Sequence, residues 1–221
     1  MAGIIPLVAA AAPADRLTIL PSRARAMLVL GHGAGSPAAS PFLTGFCEAV
    51  AEHDIATHRF NFPYMAAGRR TPDRAPVLIE AFRAAFDHAA SLGSLPVLAG
   101  GRSMGGRIAS MAVAEGMPAA GLVFLAYPLH PPGRFDRIRD EHLYRIDVPM
   151  LFIGGTRDTF ARPDLLRGVL VRLGYRARYE PVEGADHGFR RPGAPRDAAV
   201  MGAALAPAAV AFVDDVVARG A

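Results

Sequence analysis

The stretch Gly100-Gly101-Arg102-Ser103-Met104-Gly105-Gly106 places a serine between two different kinds of local sequence. The apolar run Pro96–Ala99 precedes it and predicts a strand, and the segment Arg107–Ala114 follows it with the pattern of an amphipathic helix. A G-x-S-x-G pattern between a strand and a helix is typical of a nucleophile elbow, a sharp turn that holds the serine hydroxyl clear of the backbone. The glycines at 101 and 105 are then steric requirements. A Gly/Ser-rich loop is the plainer interpretation of the same residues.

Apolar strand candidates alternate with helical segments along the whole chain. The predicted strands are Leu17–Leu20, Ala26–Leu30, Ile55–Phe62, Pro96–Ala99, Gly121–Tyr127, Val148–Gly155 and Tyr175–Val182. The predicted helices are Phe42–His53, Pro76–Ser91, Arg107–Ala114, Pro163–Leu173 and Asp197–Arg219, the last of which Pro207 can kink or split. This alternation predicts an α/β fold with a doubly wound, largely parallel sheet and right-handed crossovers. The segments 63–73 and 128–147 are expected to be loops.

Length and composition limit the number of domains and the kinds of partner. The chain has 221 residues, of which 52% are hydrophobic, which suits one sizeable core and a single domain over 1–221, with 1–15 as a loose N-terminal tail or a first strand. All 24 basic residues are arginines, and the formal charge is +4. These arginines are spread along the chain beside acidic residues with no basic stripe, so we expect no nucleic-acid partner.

The number of cysteines and the hydropathy of the chain bear on the cellular location of the protein. The single cysteine, Cys47, cannot form an internal disulfide and is expected to be a small core residue. No apolar run approaches the roughly 20 residues of a membrane span, so no membrane association is expected. The apolar start, Met1–Ala14, resembles a secretory signal but has no Arg or Lys in its first part. A cytoplasmic location is therefore the default expectation.

Four predicted strands are followed by chemically distinctive residues, namely His32-Gly33-Ala34-Gly35, Ser103, Asp158 and His187. Because parallel strands of such a sheet end at one edge, where ligands bind, we expect these residues to converge. A serine is a poor nucleophile without a base, a histidine can serve as that base, and a carboxylate can fix the tautomer of the histidine. The order Ser, Asp, His along the chain is the order that this architecture produces.

Each of these assignments has a competing interpretation. Asp158 could cap the helix Pro163–Leu173 or pair with Arg157, and Asp186, adjacent to His187, is the second candidate for the acid. Asp164 is expected in the first turn of its helix. A surface location is the default for the remaining histidines His53, His58, His88 and His142.

The glycine-rich segment after the second predicted strand suits stabilisation of an oxyanion. We assign the two backbone N–H donors to Ala34 and to Met104, the residue after the nucleophile, and expect the His32 imidazole to brace the loop. A phosphate-binding role for 31–35 is weaker, because the chain has neither the dinucleotide fingerprint nor a P-loop lysine.

Taken together, these residues resemble those of the α/β-hydrolase superfamily over nearly the whole chain. The segments Gly100–Arg107, Tyr127–Gly133 and Phe62–Met65 resemble more narrowly a small lid-less bacterial group, described as dienelactone-hydrolase-like and related to a eukaryotic protein of chromatin complexes. The resemblance implies the fold and a Ser-Asp-His triad but supplies no substrate. True dienelactone hydrolases have a cysteine nucleophile where this chain has Ser103, which puts lactone specificity in doubt.

The resemblance also implies an open site, since only 128–147 is available where related proteins insert a cap. Candidate walls of a substrate pocket are His32, Tyr64, Met65, Tyr127, Leu129 and His130. Arg69-Arg70 and Arg102 could attract an anionic substrate or be ordinary surface charges. The expected function is a serine hydrolase that cleaves an ester or related acyl bond of a small molecule, with no metal and no organic cofactor. A non-catalytic interaction protein and an acyltransferase that uses the same triad are the alternatives.

Overall fold

Seven strands form one sheet in the computed structural model, which describes residues 16–194 and 196–220. The strands are β1 (Arg16–Ile19), β2 (Ala26–Gly31), β3 (Ile55–Phe60), β4 (Val97–Arg102), β5 (Leu122–Leu125), β6 (Met150–Gly155) and β7 (Ala177–Val182). Their order across the sheet is β1-β3-β2-β4-β5-β6-β7, with β1 antiparallel to β3 and every other pair parallel. The predicted doubly wound, largely parallel sheet is confirmed. The predicted tail or strand over 1–15 lies outside the described residues.

Helices cover both faces of this sheet. They are α1 (Pro41–Ala51), α2 (Pro63–Ala66), α3 (Ala75–Ala90), α4 (Met104–Ala114), α5 (Pro163–Leu173), α6 (Ala198–Ala203) and α7 (Ala206–Gly220), with short 3-10 helices at Glu141–Arg145 and Gly174–Arg176. Buried residues of α3, α4 and α5 belong to one hydrophobic core, and buried residues of α1 and α7 belong to a second core on the opposite face. The sheet is thus the middle layer of three.

The interior strand β2 shows why the sequence produces this arrangement. All six of its residues are buried, as expected for a strand covered by helices on both sides. Successive side chains alternate between the faces, so that Met27 and Val29 join one core and Leu28 and Leu30 join the other. Its continuous apolar run is therefore required by two cores at once. The ends of β2, β4, β6 and β7 lie at the edge where the site residues were expected.

The boundaries of several elements differ from the predictions for local reasons. The strand predicted over 121–127 ends at Leu125, because Ala126 takes a positive φ of 58° while its N–H still donates to Ile153 O at 2.8 Å. The last predicted helix is two helices, and Pro207, which has no N–H to donate, lies in the first turn of α7. The loop predicted over 63–73 begins with the short helix α2.

Two expectations about individual residues have different outcomes. Cys47 is fully buried in α1, and burial raises the pKa of its thiol to about 11, as suits a core residue. The surface location expected for His58 is wrong, because this histidine lies within β3 and is completely buried. The Oγ1 of Thr18, on the neighbouring strand β1, forms a hydrogen bond of 2.8 Å with Nδ1 of His58.

By length and composition alone, the helical segment Ala198–Arg219 could cross a membrane, which the sequence analysis did not anticipate. Of its most apolar 18-residue window, 39% is buried inside the structure, and Leu205, Ala209, Phe212, Val213 and Val216 lie in the second core. The segment therefore covers one face of the sheet.

Candidate active site

Ser103 lies in a strained turn between β4 and α4. Its φ and ψ are 49° and −115°, in a region that residues with a Cβ rarely adopt, and such a conformation costs roughly 1 to 3 kcal/mol. Two close approaches define the turn: a Cβ at Gly101 would lie 2.2 Å from the carbonyl oxygen of Gly31, and a Cβ at Gly105 would lie 2.1 Å from the same oxygen. The predicted sharp turn between strand and helix is present, and both glycines are required for β2, β4 and α4 to meet.

A continuous chain of hydrogen bonds joins the serine to a histidine and an aspartate. Ser103 Oγ lies 2.9 Å from His187 Nε2, and His187 Nδ1 lies 2.8 Å from Asp158 Oδ2. Because an ionised carboxylate only accepts, His187 donates its Nδ1–H to Asp158 and its Nε2 can accept the proton of the serine hydroxyl. The Asp158 side chain is 1% exposed and that of His187 is 22% exposed. The arrangement therefore has a buried acid and a base that solvent can reach.

The carboxylate of Asp158 is held in place by the loop that follows β6. Asp158 follows β6, and its Oδ1 accepts the backbone N–H of Phe160 at 2.7 Å, while Oδ2 faces the histidine. Asp186, the competing candidate, is directed away: its carboxylate accepts the amides of Gly188 and Arg190 at 2.8 and 3.0 Å. The helix cap considered for Asp158 is not observed, because Arg162 precedes α5 and no side chain caps it.

Two backbone amides are free at the positions assigned to the oxyanion. Within residues 16–194 and 196–220, neither the N–H of Ala34 nor that of Met104 donates a hydrogen bond. Met104 is the first residue of α4, where an N–H has no partner inside the helix. The carbonyl of Ala34 accepts the hydroxyl of Tyr64 at 2.9 Å, which holds that loop in place.

Two further histidines, His32 and His130, hold neighbouring loops together and make no hydrogen bond to Ser103, His187 or Asp158. His32 Nε2 accepts the amide of Phe62 at 3.0 Å, and its Nδ1–H donates to Gly33 O at 2.8 Å. His130 repeats the pattern, with Nε2 accepting the amide of Arg162 at 3.0 Å and Nδ1–H donating to Pro131 O at 2.9 Å. Both rings are completely buried. Burial lowers the pKa of His32, which favours the neutral ring that this bonding requires.

A family model described as an alpha/beta hydrolase domain matches residues 24–212 of this chain. The chain belongs to the α/β-hydrolases. Solved structures agree with this fold at low sequence identity. The dienelactone hydrolase from Anabaena variabilis is 21% identical, with 89% of each chain covered and a TM-score of 0.69. Est1E from Butyrivibrio proteoclasticus is 14% identical, with 92% of this chain and 94% of that chain covered and a TM-score of 0.71.

A third solved structure bears on the absence of a cap. XC6422 from Xanthomonas campestris, described as a serine hydrolase without a lid, is 18% identical, with 89% of this chain and 88% of that chain covered and a TM-score of 0.69. In this α/β-hydrolase the segment after β5 holds only the 3-10 helix Glu141–Arg145 before β6 begins. The described residues contain no separate cap domain.

The structure of the hydrolase corrects the predicted pocket walls. Five of the six candidates are buried and so do not line an open pocket, namely His32, Tyr64, Tyr127, Leu129 and His130. Burial raises the pKa of Tyr64 to about 12, so its hydroxyl stays protonated as the donor to Ala34 O. The hydroxyl of Tyr127 donates to Arg139 O at 2.8 Å. Only Met65 is partly exposed, so its role as a wall stays a prediction.

One residue beside the hydrogen-bonded chain was not predicted. The ring of Phe160 packs against that of His187, with centroids 4.2 Å apart and planes inclined by 31°. Its position two residues after Asp158 is the only signal in the sequence that could have indicated it.

The arginines proposed to attract an anion have different surroundings. Arg69 pairs with Asp73 at 2.8 Å. The guanidinium of Arg102 lies 4.4 Å from the centre of the Phe42 ring, and burial, followed by the charge of Arg190, lowers the pKa of Arg102. Among the described residues no group of three or more His, Cys, Asp or Glu side chains is placed to hold a metal ion.

Proposed function

We propose that this α/β-hydrolase cleaves an ester or related acyl bond of a small substrate through an acyl-enzyme on Ser103. The observation that carries the proposal is the hydrogen-bonded chain from Ser103 through His187 to Asp158, with contacts of 2.9 and 2.8 Å. A serine hydroxyl becomes a useful nucleophile when a base accepts its proton as it attacks, and this geometry provides that base.

In the acylation step, Ser103 Oγ attacks the substrate carbonyl carbon while its proton passes to His187 Nε2. Asp158 keeps the ring in the required tautomer and stabilises the imidazolium that forms. The carbonyl oxygen becomes an oxyanion, for which the amides of Ala34 and Met104 are the proposed donors. When the intermediate collapses, the bond to the leaving alcohol breaks and His187 returns the proton to that alcohol. The acyl group remains on Ser103 Oγ.

Deacylation repeats these steps with water. His187 Nε2 takes a proton from water as its oxygen attacks the acyl carbon, and the resulting oxyanion uses the same two amides. Collapse breaks the bond to Ser103 Oγ, which recovers the proton from His187, and the carboxylic acid leaves. No metal or organic cofactor enters this sequence of steps.

The choice of an ester is supported by the surroundings of the site and by its relatives. Est1E, one of the structural neighbours, has been solved with ferulic acid bound. With no cap domain in the described residues, the site suits small or extended acyl groups. The alternative of a non-catalytic interaction protein would be favoured if Ser103 and His187 lay apart or the oxyanion position were blocked, and the contact of 2.9 Å between them argues against it. The proposed location is cytoplasmic, in keeping with a sequence whose one cysteine cannot form an internal disulfide.

Active-site labelling tests the proposal. The full chain is treated with a fluorophosphonate probe, and hydrolysis of para-nitrophenyl butyrate is followed in parallel. We expect labelling and turnover in the natural sequence and the loss of both in Ser103→Ala. His187→Ala should lower kcat by about 10⁴-fold or more, because the serine then has no base.

The control for folding is the unfolding temperature of each variant, which should stay close to that of the natural sequence, since both side chains are near the surface. A folded natural protein that neither labels nor hydrolyses the ester would contradict the proposal and favour the interaction protein. Transfer of the acyl group to an added alcohol in preference to water would indicate an acyltransferase.

A further inference from the structure

An arginine-rich pocket lies beside the proposed active site. It has a volume of about 490 Å³ and is lined by Arg157, Gly184, Asp186, Arg190, Arg191, Pro192 and Arg196. Two lining residues, Arg157 and Asp186, directly precede Asp158 and His187 in the sequence. The pocket is therefore built from the same two loops that hold the acid and the base.

The charges of the lining do not balance. Four arginines and one aspartate give a net charge of +3, and the aspartate is already used, because Asp186 Oδ2 accepts Arg190 Nε at 3.0 Å. Among the described residues, Arg157, Arg191 and Arg196 have no acidic partner within ion-pair distance. Three arginines from two loops thus line one pocket, and no acidic side chain among the described residues pairs with them.

Neighbouring acids do not supply the missing charge. Glu183 lies beside the pocket but outside its lining, where its carboxylate accepts the hydroxyl of Thr156 at 3.3 Å. Asp197 follows Arg196 directly, yet its Oδ1 accepts the amides of Ala199 and Val200 at 2.8 and 3.2 Å as the cap of α6. Because no acid among the described residues pairs with Arg157, Arg191 or Arg196, an anion from outside the chain can bind to them.

The number of unpaired guanidiniums indicates the chemical class of that anion. One guanidinium can satisfy both oxygens of a carboxylate in a bidentate pair, so a carboxylate would leave two arginines uncompensated. A phosphate monoester offers three acceptor oxygens and about −1.5 to −2 charges at neutral pH, which suits a pocket lined by three arginines without acidic partners.

We infer that the pocket of Arg157, Arg191 and Arg196 binds a phosphate-class dianion, which is either part of the substrate or a free ion. The substrate-borne form rests on the proposed function, because the dianion would then anchor one end of a molecule whose acyl bond reaches Ser103. The binding itself does not depend on catalysis. Arg190 stays with Asp186 and shapes the wall of the pocket.

The first arm of the test measures binding. Titration calorimetry with inorganic phosphate, at low salt and with the full chain, should show one site. We expect Arg191→Gln and Arg196→Gln each to weaken this binding about tenfold, since each removes one charge-assisted contact. The matched control is Arg167→Gln, which removes an exposed arginine of α5 outside the pocket. This control should leave the affinity unchanged.

The second arm measures preference among substrates. The para-nitrophenyl esters of butyric and octanoic acid are compared with the same esters that carry a terminal phosphonate or a terminal carboxylate. If the dianion is part of the substrate, the phosphonate form should have the higher kcat/KM, and Arg191→Gln should lower the ratio of phosphonate to methyl-terminated rates about tenfold. Arg167→Gln should not change that ratio.

The outcomes separate the two sources of the dianion and the two proposals. Phosphate binding with no preference for phosphonate esters would identify a free ion. A carboxylate that is preferred as strongly as the phosphonate would overturn the assignment to a dianion. The absence of both phosphate binding and phosphonate preference, in a protein whose Ser103 still labels with fluorophosphonate, would overturn the inference and leave the proposed function intact.

Discussion

Three histidines lie at the same edge of the sheet and differ in what their rings contact. His32 and His130 are completely buried, and each ring bonds only to backbone groups. The side chain of His187 is 22% exposed and bonds to two side chains, Ser103 and Asp158. A ring fixed between backbone groups can only hold loops together, whereas a ring between a hydroxyl and a carboxylate, open to solvent, can move a proton. The partners, more than the residue type, determine the role.

The largest effect should follow from a change in the partner of His187. In Asp158→Asn, the amide oxygen can still accept the N–H of Phe160, but the amide nitrogen would donate to His187 Nδ1. The ring would then carry its proton on Nε2, where it faces the serine and cannot accept a second proton. We expect kcat to fall about 10⁴-fold with little change in the unfolding temperature.

Steady-state hydrolysis of para-nitrophenyl butyrate measures this effect, and Asp164→Asn, which changes an exposed aspartate in α5, is the control. A loss of less than about tenfold would show that Asp158 does not set the tautomer of His187, which would remove the contrast between the three histidines.

Removal of a buried ring should reduce stability instead. His130→Ala leaves the amide of Arg162 and the carbonyl of Pro131 without their partners and opens a cavity, so we expect about 3 kcal/mol less free energy of unfolding. Urea denaturation measures this loss. His53→Ala, at an exposed position, should stay within about 0.5 kcal/mol. An equally small change in His130→Ala would mean that the ring does not brace these loops.

A smaller effect concerns the stability of the fold at acidic pH. His142 lies between the hydroxyls of Ser110 and Tyr127, with its Nε2 at 2.8 and 3.3 Å from their oxygens. Burial, followed by the charges of Arg107 and Arg145, lowers its pKa to about 4. The unfolded chain therefore takes up this proton at higher pH than the folded one. The stability that the neutral ring contributes is complete above the unfolded pKa of about 6.5 and is lost as the pH falls toward 4.

The variant that removes this titration is His142→Gln. Between about pH 6.5 and 4, the decline in its free energy of unfolding should be shallower by up to about 1.4 kcal/mol per pH unit than in the natural sequence. Urea denaturation at several pH values gives the slopes. His53→Gln provides the exposed control, and an unchanged slope in His142→Gln would show that other groups cause the acid sensitivity. Burial also lowers the pKa of His58 to about 4, so part of the slope should remain.

The sequence predicted the positions that depend on chain order and failed where side-chain direction mattered. Ser103, Asp158 and His187 could be placed because each follows a recognisable strand, and parallel strands bring their ends to one edge. Tyr127 and His130 also follow a strand, but whether such a side chain faces the pocket or the core depends on the loop backbone. The positive φ of Ala126, which re-aims the chain there, has no signal in its residue type.

The arginine pocket illustrates the same limit. Its lining comes from two segments, one at Arg157 and one over 184–196, that are separated by α5 and β7, and composition showed only that arginines were spread along the chain. Arg190-Arg191 beside His187 was the available clue. That these arginines line one pocket is a property of the folded loops.

The short crossing between β5 and β6 has a consequence for how the enzyme meets its substrate. Lipases with a mobile cover accelerate when their substrate forms an interface, because the interface opens the cover, and opening or closing of such elements often limits turnover. Here the chain passes from β5 to β6 through one 3-10 helix, and the described residues contain no separate cap domain that would have to open. Rates should therefore follow the concentration of dissolved ester and show no jump at the point where the ester begins to form micelles.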